Sequence, residues 1–409
     1  MFFENKNMRL RSMQVDLYTD SEYQRRWEIA RSVIRDKNAD LMLILDCARE
    51  GYDTWFSGRK MVDTIIVPLE GDITAFLHRE FDESCFDDIS GVDYSRYTKQ
   101  KKPDRELKGL AFKNLTGPDA VVDAILSAGA KRICLINSRL LTHSLKTGLE
   151  KEIPGLEIID AKYDLDRLKI IKSTEELESI RYAAAAHEQL IEALKFIIRP
   201  GKKMSDINSE ARKYLMGLGA YGDMHAFIAY LGKQDVPSMP PGAGPADPVI
   251  EYGDRFLTIY ESNGYGGHHI AMGRNLILGK AGESYRKAIE FAAELNLFAA
   301  SQMKPGNTLG NIRRATEKMA LDAGTRLTRM CWMHGLNTDG YFEQFALNDY
   351  GMEWPITEGA VLHCHPVSIR KMPQGEEEAF LLNTYLVTKD GGKSLVDLKK
   401  RPFDIVEID

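Results

Sequence analysis

The sequence predicts an α+β protein of two domains, in which an α/β domain precedes a domain of duplicated helices on a curved antiparallel sheet. Helical and strand patterns alternate over residues 1–165, which is typical of an α/β layered domain. Residues 166–409 contain two pairs of predicted helices, each followed by strands. A chain of 409 residues is long enough for two domains with separate hydrophobic cores. We therefore expect the domain boundary at residues 165/166.

The first domain begins with a predicted helix whose cap is Asp20 or Ser21. Two further helices are predicted, one at 119–129 and one near residue 140. Short apolar runs predict the strands of this domain, which are 39–46, 63–69, 72–78, 132–137 and 156–160. The segment EGYDTWFSGRK, which contains Trp55 and Phe56, is interpreted as a loop in the core.

A long helix begins the second domain. Ser173 and Glu176 have the spacing of a capping box, and the dipeptide Pro200-Gly201 ends the helical pattern. The later helices of this domain are predicted to begin near Ser205, Glu283 and Leu309. Its predicted strands are 254–262, 268–278, 360–369 and 381–388. The run GEEEAF at 375–380 is interpreted as a solvated turn.

The composition excludes several classes of partner. A formal net charge of -6 and a pI of about 5.9 lack the basic footprint of a protein that binds nucleic acid or an anionic membrane. No apolar run approaches the roughly 18 residues of a membrane helix. The five cysteines form no paired motif and are typical of reduced thiols. We expect a cytoplasmic protein whose partner is neither nucleic acid nor a membrane.

The segment GAVLHCHP at 359–366 carries the most specific chemical signal. It predicts a buried strand that ends in a turn at Pro366. Because strand side chains alternate between faces, His363 and His365 point to one side and Cys364 to the other. Two histidines on one face of a core strand indicate a functional site.

Five segments match the motifs of one protein family in the family's own order: LKIIKSTEELESIRYAAAAHE, YGDRFLTIYESNGYGGHHIAMGRNLILG, CWMHGLNTDGYFE, ITEGAVLHCHP and NTYLVTKDGG. The chain resembles the creatinase/prolidase/aminopeptidase P family over nearly its whole length. The resemblance implies a pita-bread fold for residues 166–409, a creatinase-type α/β domain for residues 1–165, and a homodimer.

The peptidases of that family hold two divalent metals with two aspartates, one histidine and two glutamates. The resemblance equates these ligands with Ile259 or Tyr260, Ala271, His334, His365 and Leu382. The histidine is kept, but the four carboxylates are missing. Because carboxylates offset the charge of two dications, we expect no dinuclear centre and no conventional Xaa-Pro peptidase. One extra residue between Asp254 and Arg274 would allow Glu261 to take the place of Ile259.

Histidines stand at or beside the family's site instead. In one hypothesis His269, His334, His363 and His365 hold a single divalent Zn, Fe, Mn, Ni or Cu ion, with Glu261 as the base. In the other there is no metal, as in creatinase, and His334 or His365 transfers the proton. In either case the predicted catalytic residues are His334, His363, His365 and Glu261. The predicted substrate contacts are His225, Tyr265, His268 and Arg370.

The function that this pattern predicts is hydrolysis of a C–N bond in a small polar metabolite. One alternative is a lyase that resembles the family's dimethylsulfoniopropionate lyase, because elimination also needs a base beside a polar anchor. A second alternative is a binding module that has lost catalysis.

Overall fold

The computed structural model of the chain describes residues 18–47, 51–58, 62–78, 107–220, 223–234, 236–237, 244–264, 267–327, 332–336, 342–345, 352–372, 375–396 and 406–409. It describes the backbone alone for residues 78, 223–227, 332, 334, 336, 342–345 and 372. The chain divides into two compact units, Met1–Lys169 and Ile170–Asp409. The expected boundary at 165/166 falls within the last helix of the first unit.

The first unit has a helix and strand order close to the predicted one. Its helices are α1 (Asp20–Asp36), α2 (Tyr52–Ser57), α3 (Pro118–Ser127), α4 (His143–Glu152) and α5 (Lys162–Lys169). Its strands are β1 (Leu41–Ile44), β2 (Val62–Pro68), β3 (Ile73–His78), β4 (Leu110–Leu115), β5 (Arg132–Ile136) and β6 (Glu157–Asp160). Among the described residues these strands form one sheet in the order β4-β3-β2-β1-β5-β6. Strand β1 is antiparallel to β2 and parallel to β5, so the sheet is mixed.

Two local predictions in the first unit were wrong. The cap of α1 is Thr19, whose side chain accepts a hydrogen bond from the Glu22 amide, and neither Asp20 nor Ser21. The segment around Trp55 and Phe56 is the short helix α2 rather than a loop. Its placement in the core was correct, because all six residues of α2 are buried.

The second unit contains two pairs of helices. They are α6 (Thr174–Ile197), α7 (Met204–Gly217), α8 (Glu283–Ser301) and α9 (Leu309–Asp322). Ser173 caps α6 through the predicted capping box with Glu176. None of the helices in the described part of the chain is long and apolar enough to cross a membrane.

The strands of the second unit form three sheets in the described residues. The strands are β7 (Asp223–Lys233), β8 (Asp254–Asn263), β9 (His269–Met272), β10 (Asn275–Leu278), β11 (Arg326–Leu327), β12 (Trp332–Leu336), β13 (Phe342–Phe345), β14 (Val361–His365), β15 (Val367–Met372), β16 (Gly375–Phe380), β17 (Asn383–Thr388), β18 (Gly391–Ser394) and β19 (Val406–Ile408). The sheet orders are β19-β10-β8-β7, with β9 also paired to β8, then β11-β15-β16, and β13-β12-β14-β17-β18.

Each helix pair covers one of the larger sheets. Apolar residues of α6 and α7 form a core with Phe256 and Tyr260 of β8. Residues at the end of α8 and the start of α9 form another with Leu362 and Cys364 of β14. This repeated unit of two helices on a sheet is the duplicated α+β arrangement that the sequence predicted.

Two predicted segments of the second unit differ in detail. The predicted strand 268–278 is divided at Gly273, where an added Cβ atom would lie 2.8 Å from the Thr258 carbonyl oxygen. The run GEEEAF is strand β16 rather than a solvated turn. Its central residue Glu377 is buried in an ion pair with Arg255.

Candidate active site

The two histidines of β14 face away from the helices. Cys364, between them in the strand, is buried in the apolar core that includes residues of α8 and α9. Since side chains alternate along a strand, His363 and His365 lie on the opposite face. Both histidines are buried, with relative exposures of 0% and 4%. Strand β14 therefore directs both imidazoles away from α8 and α9, and His363 Nδ1 lies 3.3 Å from the amide nitrogen of Ala271 in the sheet of β8 and β9.

An apolar cluster occupies the positions that the resemblance equates with carboxylate ligands. Ile259, Ala271 and Leu382 come from β8, β9 and the residue before β17, and they lie in one cluster. The other members of the cluster are Ala229, Leu231, Leu257, Val367 and Phe380. The structure thus brings three of the equated positions together, and it surrounds them with hydrocarbon.

The remaining two equated positions are histidines. The ring of His365 lies 5.9 Å from the ring of Phe380, a member of the same apolar cluster. On the neighbouring antiparallel strand β12, His334 is the direct backbone partner of His363. The description of His334 is limited to its backbone, which the register places beside the histidines of β14.

Glu261 is the carboxylate on the cluster side of β8. Leu257 and Ile259 belong to the apolar cluster, and alternation puts Glu261 on the same face of the strand. Its partner across the sheet is Ala271. Burial raises the pKa of Glu261 to about 7 from its ordinary value of 4.5, because the apolar surroundings disfavour the charged form. A carboxyl group with this pKa can accept or donate a proton near neutral pH.

His363 is held by a residue that the sequence analysis did not select. Its Nδ1 atom lies 2.7 Å from the hydroxyl oxygen of Thr384 on β17. The same hydroxyl lies 2.8 Å from the carbonyl oxygen of Ala271 and 3.2 Å from its amide nitrogen. The Ala271 amide nitrogen is also 3.3 Å from His363 Nδ1. Three strands therefore meet at one hydrogen-bonded cluster.

The adjacent histidines of the β8–β9 hairpin point in different directions. His269 shares a strand face with Ala271 and is the backbone partner of Asn263. His268 is directed at α6, where its Nε2 atom lies 3.6 Å from a carboxylate oxygen of Glu176. The predicted substrate contact His268 is thus fully buried against the first turn of that helix.

The other predicted substrate contacts are spread over three elements. The backbone of His225 on β7 pairs with that of Glu261. Arg370 lies on β15 as the backbone partner of Glu377, in a different sheet from His363. Tyr265 lies outside the described residues. Of these residues, His225 is the one that the register brings next to Glu261.

The side chains at the equated positions determine whether the metals that the resemblance implies could bind there. Two dications do not fit the equated positions, because Ile259, Ala271 and Leu382 offer no oxygen ligand and pack on one another. Among residues with described side chains, no three His, Cys, Asp or Glu residues are placed to hold a metal ion. A single metal bound by imidazoles would therefore need His334 together with the histidines of β14.

A protein-family model matches most of the second unit. The model of metallopeptidase family M24 matches residues 178–389, which span most of α6, all of α7, α8 and α9, and strands β7 to β17. The chain belongs to family M24. This membership confirms the resemblance to the creatinase, prolidase and aminopeptidase P group and places the M24 chain in a family of hydrolases.

Curated relatives of this M24 chain are distant in sequence. The uncharacterized peptidase YqhT of Bacillus subtilis strain 168 is 23% identical over 283 residues, which cover 69% of this chain and 73% of that protein. The uncharacterized hydrolase/peptidase y4tM of Sinorhizobium fredii is 21% identical over 325 residues, or 75% of this chain and 78% of that protein. These relatives extend the similarity beyond the matched domain.

Solved structures establish the pita-bread fold of the M24 chain. Dipeptidase PepE from Mycobacterium ulcerans has a TM-score of 0.73 at 16% identity and covers 96% of this chain and 99% of its own. Xaa-Pro dipeptidase from Bacillus anthracis has a TM-score of 0.71 at 15% identity, with coverages of 94% and 100%. The two-domain architecture predicted from the sequence is therefore confirmed.

Two polar contacts at the site, Thr384 with His363 and Glu176 with His268, were not predicted from the sequence. Thr384 is two residues after Leu382, so strand alternation alone would have put both on one face. Glu176 was recognised as a helix cap, but its contact with His268 joins segments far apart in the chain. No local pattern in the sequence predicts the second contact.

Proposed function

We propose that this M24 chain is an enzyme that hydrolyses a C–N bond in a small polar metabolite. Glu261 is the proton-transferring group, and His363, His365 and His334 bind and polarise the substrate. The chain is not a conventional dinuclear Xaa-Pro peptidase. A cytoplasmic location and a homodimer are part of the same proposal.

The observation that carries the proposal is that Glu261 is buried on the cluster side of β8 and has a raised pKa. A buried carboxyl group with a pKa of about 7 is half ionised at neutral pH. General acid–base catalysis is most effective when the pKa of the catalytic group lies near the working pH. The cause of this shift is burial in apolar surroundings, which disfavour the charged form of the carboxyl group.

The apolar cluster supports the exclusion of peptidase chemistry that depends on two metals. Three of the five equated ligand positions contribute hydrocarbon to the cluster. Two adjacent dications without carboxylates would carry an uncompensated charge in a low-dielectric space. No step of the proposed reaction therefore uses a metal pair.

A single transition metal is compatible with imidazole donors, and His334, His363 and His365 are the residues that would hold it. When bound, such a metal would supply Lewis acidity to a substrate oxygen. The residues of the chain have the same tasks with or without it. The imidazoles orient the polar group of the substrate, and Glu261 moves the proton. The cluster around Phe380 excludes bulk water from one side.

The experiment that tests the proposal measures products, metal content and pH dependence together. Purified protein is offered a panel of small amides, ureas, guanidines and amidines, with release of ammonia or amine as the assay. Metal content is determined by mass spectrometry on protein prepared without chelators. Glu261→Gln is expected to lower kcat at least 100-fold, because it removes the proton-transferring group. The wild-type rate is expected to change around pH 7, which is the pKa of Glu261.

A matched control shows whether the loss of turnover is specific to replacement of the histidines at the site. His365→Gln and His334→Gln are expected to reduce turnover, whereas His143→Gln is expected to leave it unchanged, because His143 is exposed at the start of α4 in the first unit. Undiminished turnover in both site variants would contradict the proposal. Efficient cleavage of Xaa-Pro dipeptides with manganese or cobalt would also contradict it. An unsaturated product in place of a hydrolysis product would establish the lyase alternative.

A further inference from the structure

Thr384 is placed to fix the tautomer of His363. It lies directly opposite His363 on the neighbouring strand, so both side chains project from the same face of the sheet. Its hydroxyl oxygen is within hydrogen-bond distance of the Ala271 carbonyl oxygen, the Ala271 amide nitrogen and His363 Nδ1. All three residues are fully buried, with relative exposures of 0%.

The direction of each hydrogen bond follows from what each atom can do. A threonine hydroxyl has one hydrogen and two acceptor positions. The Ala271 carbonyl oxygen, 2.8 Å away, can only accept, so the hydroxyl hydrogen is donated there. The Ala271 N–H can only donate; it lies 3.2 Å from the Thr384 oxygen and 3.3 Å from His363 Nδ1, and with the nearer atom it uses one acceptor position of the hydroxyl.

One acceptor position then remains for His363. Its Nδ1 atom is 2.7 Å from the Thr384 oxygen, a distance that requires a hydrogen between them. Because the only hydrogen of the hydroxyl is already used, the hydrogen must be on Nδ1. An unprotonated Nδ1 could accept from the Ala271 N–H at 3.3 Å, but it would face a lone pair of the Thr384 oxygen across the much shorter 2.7 Å contact, in a fully buried site.

The tautomer determines which ring nitrogen of His363 has the lone pair that can accept a proton or bind a metal. In a neutral imidazole one nitrogen carries the hydrogen and the other the lone pair, and the hydrogen bond at one decides the state of the other. With the hydrogen on Nδ1, the lone pair is on Nε2. Nε2 is on the far side of the ring from Thr384 and is the atom that can accept a proton or bind a metal.

The same hydroxyl also joins the two halves of the second unit. Ala271 belongs to the sheet of β8 and β9, whereas Thr384 and His363 belong to the sheet of β14 and β17. Thr384 therefore fixes the imidazole relative to Ala271, the backbone partner of Glu261. A change at Thr384 is therefore expected to alter the position of His363 relative to the β8–β9 sheet as well as its tautomer.

We infer that Thr384 is the positioning residue that holds His363 in the Nδ1–H tautomer and keeps Nε2 as its lone-pair nitrogen. The role of Nε2 in turnover rests on the proposed function, but the tautomer does not. Thr384 itself touches no reacting atom and acts through His363. Residues that orient metal-binding histidines through the other ring nitrogen typically change metal affinity or activity by about 10- to 100-fold when they are removed.

The experiment is nitrogen NMR of protein labelled with ¹⁵N histidine, recorded at pH 8, with the His363 signals assigned from a His363→Gln sample. The wild-type protein is expected to show Nδ1 as the protonated nitrogen of His363. In Thr384→Val, which keeps the shape and removes the hydroxyl, that signal is expected to be lost in favour of the Nε2–H form or a mixture. Thr384→Ser retains a hydroxyl and is expected to restore the Nδ1–H form.

Two results would overturn the inference. One is a wild-type His363 that is protonated on Nε2 alone, and this measurement needs no variant to fold. The other is an unchanged Nδ1–H signal in folded Thr384→Val. If a substrate is found, Thr384→Val is expected to lower kcat about 10- to 100-fold with little change in KM, and Thr384→Ser to recover it. A correct tautomer in an inactive protein would contradict the proposed function and leave this inference standing.

Discussion

Glu261 on β8 lies directly opposite Ala271 on β9. Ala271 occupies a position that the family resemblance equates with a metal-binding aspartate, so the carboxylate of this chain is one strand away from that position. It is also buried beside apolar side chains, which raises its pKa.

The first prediction is that Glu261→Gln stabilises the protein at alkaline pH. The pKa of Glu261 rises from 4.5 to about 7 on folding, so the folded state favours the protonated form. The resulting stability is present below pH 4.5 and is lost as the pH rises through 7, by about 3 kcal/mol. Glutamine cannot ionise and removes this loss.

Urea unfolding at pH 4 and pH 8 measures the effect. The free energy of unfolding of Glu261→Gln relative to wild type is expected to be about 3 kcal/mol more favourable at pH 8 than at pH 4. Glu290→Gln, an exposed substitution on α8, is the control and should show no such difference. If the stability of Glu261→Gln relative to wild type has the same pH dependence as that of Glu290→Gln, the raised pKa of Glu261 is refuted.

The second prediction concerns His187, a buried histidine of α6 that takes no part in the proposed reaction. Its Nδ1–H donates to the Ala183 carbonyl oxygen at 2.6 Å, and its Nε2 accepts from the Ser262 hydroxyl at 2.9 Å. Burial lowers its pKa from 6.5 to about 4. The folded state therefore favours neutral imidazole, and stability is lost as the pH falls from 6.5 to 4, by about 3 kcal/mol.

Replacing His187 with leucine tests whether the lowered pKa of His187 makes the folded protein less stable in acid. The variant is expected to be less stable than wild type at pH 7, because Ser262 loses its partner. The difference is expected to shrink between pH 6.5 and pH 4 as wild type loses its own contribution. Ser262→Ala retains the titrating ring, so it should keep the wild-type pH dependence. A constant difference between His187→Leu and wild type would count against the prediction.

The third prediction compares two neighbouring glutamates of β16. Glu377 forms a fully buried ion pair with Arg255, whereas Glu376 forms an exposed pair with Arg326. Glu377→Ala leaves a buried guanidinium without its carboxylate and is expected to cost about 3–5 kcal/mol. Glu376→Ala is expected to cost less than about 1 kcal/mol. Chemical denaturation of both variants provides the comparison, and similar losses would be inconsistent with the burial of only one pair.

The fourth prediction concerns Gly264 in the hairpin between β8 and β9. A Cβ atom at this position would lie 2.6 Å from the Cα atom of Ala183 in α6. Gly264→Ala is therefore expected to push the hairpin from the helix and lower the melting temperature by several degrees. Gly217→Ala, near the end of α7, meets nothing within 4 Å and is the matched control. Thermal unfolding of the two variants should differ clearly, and an unchanged Gly264→Ala would show that the helix can yield.

The fifth prediction is that carboxylates cannot simply be returned to the apolar cluster. Leu382→Glu would bury an ionisable group beside Phe380 and Ala271, so it is expected to destabilise the protein by more than about 2 kcal/mol. Added manganese or cobalt is not expected to restore stability, because the other equated positions supply no oxygen ligand. A metal-dependent gain in melting temperature, measured against Leu382→Met, would show that a metal pair can still assemble.

The sequence alone determined the class of fold and the fact that His363 and His365 share one face of β14. The capping box of Ser173 and Glu176 and the starts of the helices at Glu283 and Leu309 are local signals, and the structure has each of them. The orientation of His363 and His365 followed from strand alternation, which requires no knowledge of the rest of the chain.

Only the tertiary structure decided what those side chains meet. It placed Thr384 against His363, and it joined Ala271 and Leu382 in one apolar cluster. It also buried Glu261 deeply enough to raise its pKa. These results depend on contacts between strands far apart in the chain, and desolvation depends on everything that surrounds a group. A sequence pattern records the identity of a residue and its local face, but the neighbours that set its chemistry are chosen by the packing of the whole unit.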